Sequence, residues 1–298
     1  MNEAMLTEDV LRTHPLPMPT AAGSKQHRGQ VLIVGGSRQV PGAALLAGVS
    51  ALRSGAGILQ IATVESAAVA LAVAIPESMV LGVNENDDGS IDPARCEALI
   101  EVGAQADAIL IGPGMTGTCA VRDLTLRLLQ SVERAKFVLD ARACSSAGHL
   151  AGVLREHQER IVLTPHAGEM AAFLNIDRAK VESDMLGAGR RAAQQTGATI
   201  AMKGAETYVI DPRGHSWLFQ GGSIALATSG SGDTLAGIIT GLLARGADVT
   251  QATLWGVYMH AKAGERLSAK HGPLGALARE IPNEIPSLMC QLSARDDL

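Results

Sequence analysis

The sequence predicts an α/β fold: one doubly wound, mostly parallel sheet with helices on both faces. Three observations predict it. Short continuous apolar runs, such as Val31-Leu32-Ile33-Val34 and Ile161-Val162-Leu163, alternate with segments whose apolar residues recur at helical spacing. Glycine or polar residues follow the runs, at what would be one edge of a parallel sheet. The 298 residues are 47% apolar but only 2% aromatic, so Ala, Leu, Ile and Val must build the core, and small residues let helices sit close to a sheet. No repeat, linker or composition break divides the chain. Residues 1–29, with Pro15, Pro17 and Pro19, read as a polar tail, and residues 30–298 as one domain.

The first strand covers 30–34 and runs into Gly35-Gly36-Ser37. A helix over 43–53 follows, ended by Gly55 and Gly57, and then a strand over 58–63. Strand, glycine-rich turn, helix, strand is a βαβ unit, which forces a parallel pair with a right-handed crossover. Helices are expected over 66–73 and 92–103, and a strand over 108–111 ends in Gly112-Pro113-Gly114. Residues 118–133 read as a helix, 137–139 as a strand ending in Asp140, and 161–163 as a strand ending in Thr164-Pro165-His166. Helices at 169–174 and 185–195 lead to a strand over 199–202 that ends in Lys203-Gly204. Residues 207–210 and 216–219 flank Asp211-Pro212-Arg213-Gly214, a turn sequence, and pair as a hairpin. A helix from Leu235 with Gly246 as its cap, a long helix over 250–267 and a short last segment near Pro282 and Pro286 complete the chain.

Composition excludes several classes of function. The net charge is −5, no basic run is present and aromatics are scarce, all of which disfavour a nucleic-acid partner. Cys96, Cys119, Cys144 and Cys290 are scattered without a C-x-x-C pair, so neither a disulfide framework nor a zinc site is expected, and a reducing cytoplasm fits. The first 28 residues lack the apolar core of a signal peptide. The longest apolar stretch, 66–75, stops at Pro76-Glu77 and is too short to span a bilayer.

Chemistry is expected where polar residues and glycines follow the strands. The centre is Gly230-Ser231-Gly232-Asp233, a glycine-rich turn opening a helix with apolar residues at 235, 238, 239, 242 and 243. Such a turn aims unpaired backbone N–H groups and the positive end of the helix dipole at a ligand, most naturally a phosphate. Asp233 then has two readings. It caps the helix, worth roughly 0.5–2 kcal/mol, or it is a general base held beside the phosphates. Lys203-Gly204 suits a phosphate or ribose, or is a solvated loop. His166 is a substrate ligand or a surface turn, with Glu169 favouring the helix dipole. It has no partner at the spacing of a metal site. Asp140 could hold Mg²⁺ through water or cap a turn. Gly112-Pro113-Gly114 is a tight turn or a place where a ligand approaches backbone. His260 on the long helix reads as packed core or surface rather than a ligand, and Trp255 and Tyr258 as core or interface. Gly35-Gly36-Ser37 lacks the full G-x-G-x-x-G of a dinucleotide site, and Glu65 matches its acidic residue only weakly.

The chain resembles the ADP/ATP-dependent NAD(P)H-hydrate dehydratases of the ribokinase-like superfamily over about residues 30–267. The matching stretches are Gly35-Gly36-Ser37 with Pro41-Gly42-Ala43-Ala44; Arg53-Ser54-Gly55-Ala56-Gly57; Pro76-Glu77; Gly112-Pro113-Gly114; Leu139-Asp140-Ala141; Thr164-Pro165-His166 with Gly168-Glu169; Lys203-Gly204-Ala205 with Thr207; and Ala227-Thr228 with Gly230-Ser231-Gly232-Asp233. Each motif is weak alone; their order and spacing are specific, since sugar kinases share only the last. No segment would serve as a sugar-kinase lid.

The resemblance implies a ribokinase-like sheet without a lid domain, and removal of water from hydrated NADH or NADPH driven by ADP or ATP. It implies that Asp233 is catalytic. Lys203, Gly204, Ala205, Glu206, Thr207, Gly230, Ser231 and Gly232 would meet the adenine nucleotide. Ala43, Gly114, Gly117, His166 and Asp233 would line the hydrated nicotinamide nucleotide. Mg²⁺ would bridge the phosphates, Asp140 being its one candidate ligand. The family tends to form tetramers, so a homo-oligomer is expected. It is often fused to an epimerase, for which 29 residues are too few, so an epimerase would be a separate chain. Two departures stand near the presumed cleft: Arg142 where a second Asp is usual, and Ser223-Ile224-Ala225-Leu226 in place of Asn-Pro-Gly-Met. The alternatives are a small-molecule kinase of the same fold, of the hydroxymethylpyrimidine or hydroxyethylthiazole type, and a non-catalytic nucleotide sensor.

Overall fold

The computed structural model describes residues 3–18 and 24–293. Ten strands form one sheet: β1 (Glu3–Met5), β2 (Gln30–Val34), β3 (Ile58–Val64), β4 (Ser78–Val83), β5 (Ala108–Ile111), β6 (Lys136–Leu139), β7 (Ile161–Leu163), β8 (Thr199–Met202), β9 (Thr207–Ile210) and β10 (Ser216–Phe219). Their spatial order is β1-β10-β9-β8-β7-β6-β5-β2-β3-β4. Every pairing is parallel except those of β9 with its two neighbours. The predicted hairpin is the source of that one reversal, its turn closed by the Asp211 carboxylate accepting from the His215 N–H at 2.8 Å.

The sheet lies between two apolar layers. Val31 and Ile33 of β2 point into one layer, Leu32 and Val34 into the other. A strand buried on both faces reads as an unbroken apolar run, which is why these strands are visible in the sequence. One layer is built by α2 (Gly42–Arg53), α11 (Ser231–Ala244), α12 (Val249–His271) and α13 (Ile281–Ser293). The other contains α4 (Glu97–Gly103), α5 (Thr118–Ser131), α6 (Ala141–Ser146), α7 (Ala151–Glu156), α8 (Ala167–Leu174), α9 (Arg178–Ser183) and α10 (Met185–Thr196). Helix α3 (Glu65–Ala74) sends Leu71 to the first layer and Ala67 to the second.

The seam between α2 and α11 positions the site. A Cβ on Gly237 would stand 2.2 Å from the Ala47 carbonyl oxygen, and one on Gly241 2.5 Å from that of Ala51. The two helices therefore meet backbone to backbone. Gly230, at φ 88, starts α11 in the left-handed region. Gly246, at φ 103, ends it as expected: its N–H donates to Leu243 and that of Ala247 to Leu242.

Several elements differ from the sequence reading. The described part of residues 1–29 is not a detached tail. Strand β1 pairs with β10, helix α1 (Glu8–Arg12) follows it, and Leu6, Leu11 and Leu16 are buried in the first layer. The Trp255 indole N–H donates to the His14 carbonyl at 2.7 Å, and Arg245 donates to that of Pro17 at 2.9 Å. Pro19 lies outside the described residues. Edge strand β4 was not expected: only one of its sides is paired and Gly82 interrupts its apolar pattern. The expected helix over 92–103 is a single 3₁₀ turn (Pro93–Arg95) followed by α4. The last segment is a full helix, α13, with Pro286 inside it. No helix among the described residues is long and apolar enough to cross a membrane.

Candidate active site

The carboxyl ends of β2, β5, β6, β7 and β8 deliver Gly36, Gly114, Asp140, His166 and Lys203 to one edge of the sheet, and the α11 N-terminus covers it. Lys203 is the charge centre. Its ammonium donates to Asp140 Oδ1 at 2.8 Å and stands 3.9 Å from Glu169 Oε2. Asp140 is buried and also accepts from the Thr164 hydroxyl at 2.6 Å. Burial alone would lower the Lys203 pKa, but the Asp140 and Glu169 carboxylates outweigh it and hold the ammonium charged. Burial pushes the Glu169 carboxyl up, with Lys203 opposing.

The Thr-Pro-His-Ala-Gly-Glu segment supplies a helix cap as well as a site wall. His166 Nδ1 accepts from the N–H groups of Gly168 (2.9 Å) and Glu169 (3.2 Å), while Glu169 Oε2 accepts from the His166 N–H at 2.9 Å. This reciprocal box fixes the start of α8. It turns Nε2 of the exposed imidazole outward, 3.4 Å from Glu169 Oε1.

Asp233 occupies the first turn of α11. Burial raises its carboxyl, the Asp140 and Glu169 charges add to that, and Lys203 offsets part, leaving it at about 7. It is not a simple cap: α11 has no side-chain cap bond at its N-terminus. A carboxyl poised near neutral pH beside a helix N-terminus suits proton transfer.

A cleft of about 680 Å³ opens beside this cluster. Its lining includes His166, Lys203, Gly204, Ala205, Thr207, Ser231 and Gly232, together with the apolar Phe219, Leu226, Leu235 and Val257. That mixed lining fits a ligand with a flat apolar part and an anionic part. A Cβ on Gly232 would stand only 3.3 Å from Lys203 Nζ, so the glycine keeps backbone and ammonium together. Glu206 is turned away, accepting from Gln220 at 3.0 Å. Ala43, Gly114, Gly117, Gly230 and Asp233 are not among the residues that line this cleft. Ala43 and Gly114 adjoin each other, and Gly117 faces Ser90. Gly114 has φ 66 and lies within 2.3 Å, by its missing Cβ, of the Val40 carbonyl, so no larger residue fits.

Sequence reasoning missed the role of Thr164 as a partner of Asp140, and read Glu169 only as favouring the α8 dipole, not as the second partner of Lys203. Thr164 directly follows β7, and Glu169 stands in the first turn of α8. Sequence reasoning also set aside His260 as core or surface. The imidazole is buried in α12, yet it lines the cleft and contacts Ser231. Trp255 and Tyr258 are core residues as expected. Arg142 is exposed on α6, directly after Ala141, whose φ of 48 is rare for a residue with a Cβ.

Comparison with known proteins identifies the family. Residues 31–287 match the profile of the family described as NAD(P)H-hydrate dehydratase. The chain is 46% identical over 288 residues to an ADP-dependent (S)-NAD(P)H-hydrate dehydratase from Xanthomonas campestris, covering 96% of each chain. It spans about half the length of the bifunctional NAD(P)H-hydrate repair enzymes that it also matches. A ribokinase-like superfamily protein from Enterococcus faecalis superposes with a TM-score of 0.83 at 27% identity, covering 98% of this chain and 96% of that one. An ADP/ATP-dependent NAD(P)H-hydrate dehydratase from Bacillus subtilis, co-crystallized with ATP and Mg²⁺, superposes at 0.80 with 29% identity, covering 98% and 99%. The chain therefore belongs to the NAD(P)H-hydrate dehydratase family and carries its ribokinase-like fold.

Proposed function

We propose that this chain dehydrates the S form of hydrated NADH or NADPH at the expense of ADP or ATP. The observation that carries the reading is the Asp233 carboxyl, raised to about 7 in the first turn of a glycine-led helix beside Lys203. Hydroxide is a poor leaving group from the hydrated ring. Transfer of the terminal phosphoryl group to the ring oxygen, with the hydroxyl proton passing to Asp233, makes it a good one. The ring nitrogen then expels phosphate, and loss of a proton from the neighbouring carbon restores the dihydropyridine. The products are NAD(P)H, phosphate and AMP or ADP. Backbone N–H groups of α11 and the Lys203 ammonium stabilise charge on the transferred group. The nucleotide belongs in the cleft by Lys203, Gly204, Ala205, Thr207, Ser231 and Gly232. His166, Asp233, Ala43, Gly114 and Gly117 serve the nicotinamide substrate.

Among the described residues no group of three or more His, Cys, Asp or Glu could hold a metal by itself. That donor set fits Mg²⁺ carried on nucleotide phosphates and water, with Asp140 meeting its water shell. When bound, the ion neutralises phosphate charge. We further assign the protein to the cytoplasm as a homotetramer; the Ala-rich helices allow close subunit packing.

The test is to incubate the protein with hydrated NADH or NADPH and either nucleotide, and to follow the reduced-nicotinamide absorbance. The absorbance is expected to recover with release of one phosphate per substrate. Accumulation of a phosphorylated product without recovery would turn the reading to a small-molecule kinase.

A further inference from the structure

His260 lies in the middle of α12 and is almost wholly buried, yet its ring forms part of the wall of the nucleotide cleft. Its Nε2 is 3.0 Å from the Ser231 carbonyl oxygen and 3.1 Å from the Ser231 hydroxyl oxygen. A carbonyl only accepts, so Nε2 carries the hydrogen and donates it to both oxygens. Burial holds the imidazole down at about 4, only partly offset by the bond to Ser231, and Lys203 acts in the same direction as burial. The ring is therefore neutral at neutral pH, with a fixed tautomer. The Ser231 hydroxyl, having accepted from His260, retains its own hydrogen. Among the described residues no group accepts it, and Ser231 lines the cleft beside Gly232. The Thr234 hydroxyl also donates to the Ser231 carbonyl at 2.7 Å, so this residue is held from two sides. Packing of α12 on α11 does not require an imidazole here, and burying one has a desolvation cost that an apolar residue would avoid.

We propose that His260 is a positioning residue: through its Nε2–H it makes the Ser231 hydroxyl a donor into the cleft, where it meets a phosphate oxygen of ADP or ATP. The inference rests on the cleft being the nucleotide site. No proton leaves His260 in this role; it acts only through Ser231.

The experiment measures ADP binding, with magnesium, by calorimetry on the full chain and four variants. His260→Leu and Ser231→Ala are each expected to weaken binding about tenfold, the scale of one hydrogen bond to a charged group. The double variant should bind no more than about twofold worse than either single one, since both remove the same interaction. His260→Gln, which can still donate, should recover to within about threefold of wild type. Losses that add in the double variant, or wild-type binding by His260→Leu, would overturn the role of His260. Should His260→Leu not fold, nitrogen-15 spectra of the wild-type histidines decide. A neutral ring protonated at Nε2 that responds to ADP supports the proposal; a hydrogen on Nδ1, or no response, overturns it. A wild-type protein that binds neither nucleotide would instead overturn the reading of the cleft itself.

Discussion

Replacing Asp233 by Asn tests both the chemistry and its energetic cost. Burial, together with the Asp140 and Glu169 charges, lifts the Asp233 carboxyl from an ordinary 3.8 to about 7. A base must be ionised, and at pH 7 about half of the free protein carries the carboxylate. Wild-type kcat/KM should rise about tenfold per pH unit below that point and level off above it. Asp233→Asn should erase this limb and lower kcat by about 10²–10⁴, with ADP binding retained or tighter because a negative charge is gone. Stability should move the other way. A carboxyl whose folded pKa is raised favours the fold when protonated. Its contribution is therefore intact below pH 3.8 and is lost as the pH climbs to about 7. Across that window the fold gives up at most about 4 kcal/mol. Asp233→Asn recovers part of it, so the variant should melt several degrees above wild type at pH 8, at roughly 2–4 °C per kcal/mol, and no higher near pH 4. Ligand-free calorimetric melts at the two pH values and a pH–rate series check this. A variant with near-wild-type turnover, or a surviving limb near pH 7, would refute the role of Asp233. An unchanged melting point at pH 8 would refute the energetic argument.

Other predictions follow from single contacts. Lys203→Met leaves Asp140 and Glu169 without their shared cation and should cost about 3–5 kcal/mol in denaturant melts. Because Lys203 lowers the Asp233 pKa, any residual activity of that variant should show its limb at higher pH. Gly237→Ala places a Cβ 2.2 Å from the Ala47 carbonyl oxygen and must part α2 from α11, lowering stability by about 1–3 kcal/mol or more. Thiol titration of the native protein should find Cys119 and Cys290 reactive. Cys96 and Cys144, both buried and with thiols raised by burial, should react only in denaturant.

The central strands were legible because burial on both faces leaves an unbroken apolar run, as in β2, β5 and β7. Edge elements carry no such signal. Strand β4 alternates imperfectly around Gly82, and β1 is three residues long, held by a parallel pairing to a strand more than two hundred residues away. Helix α6 begins through a left-handed Ala141, which no local propensity announces. The site was legible where chemistry follows a strand end: Asp140, His166, Lys203 and the α11 turn all obey that rule. It was illegible where the partner is remote. The Lys203–Asp140 bond joins residues 63 apart. His260 sits at a helical core spacing, and only its contact with Ser231 gives it a different meaning.

A site that gathers three carboxylates around one lysine looks ill-suited to a polyphosphate. The distribution of protons resolves this. Asp140 is buried and its Oδ1 accepts from both Lys203 and Thr164, so much of its charge is offset by the Lys203 ammonium. Burial raises the Glu169 carboxyl, with Lys203 opposing, and lifts Asp233 to about 7, so Asp233 is close to half neutral at neutral pH. What the cleft then presents to a phosphate is the Lys203 ammonium, the N–H groups of the α11 turn and the Ser231 hydroxyl. Asp140 keeps Lys203 charged and in place, and Glu169 ties that pair to the start of α8. An anion arriving in the cleft would raise Asp233 further, whereas a divalent cation on its phosphates would lower it again. Burial first, and repulsion by the neighbouring carboxylates second, thus keep the proton affinity of Asp233 near that of the medium, where a carboxyl can take a proton from an alcohol and still release it.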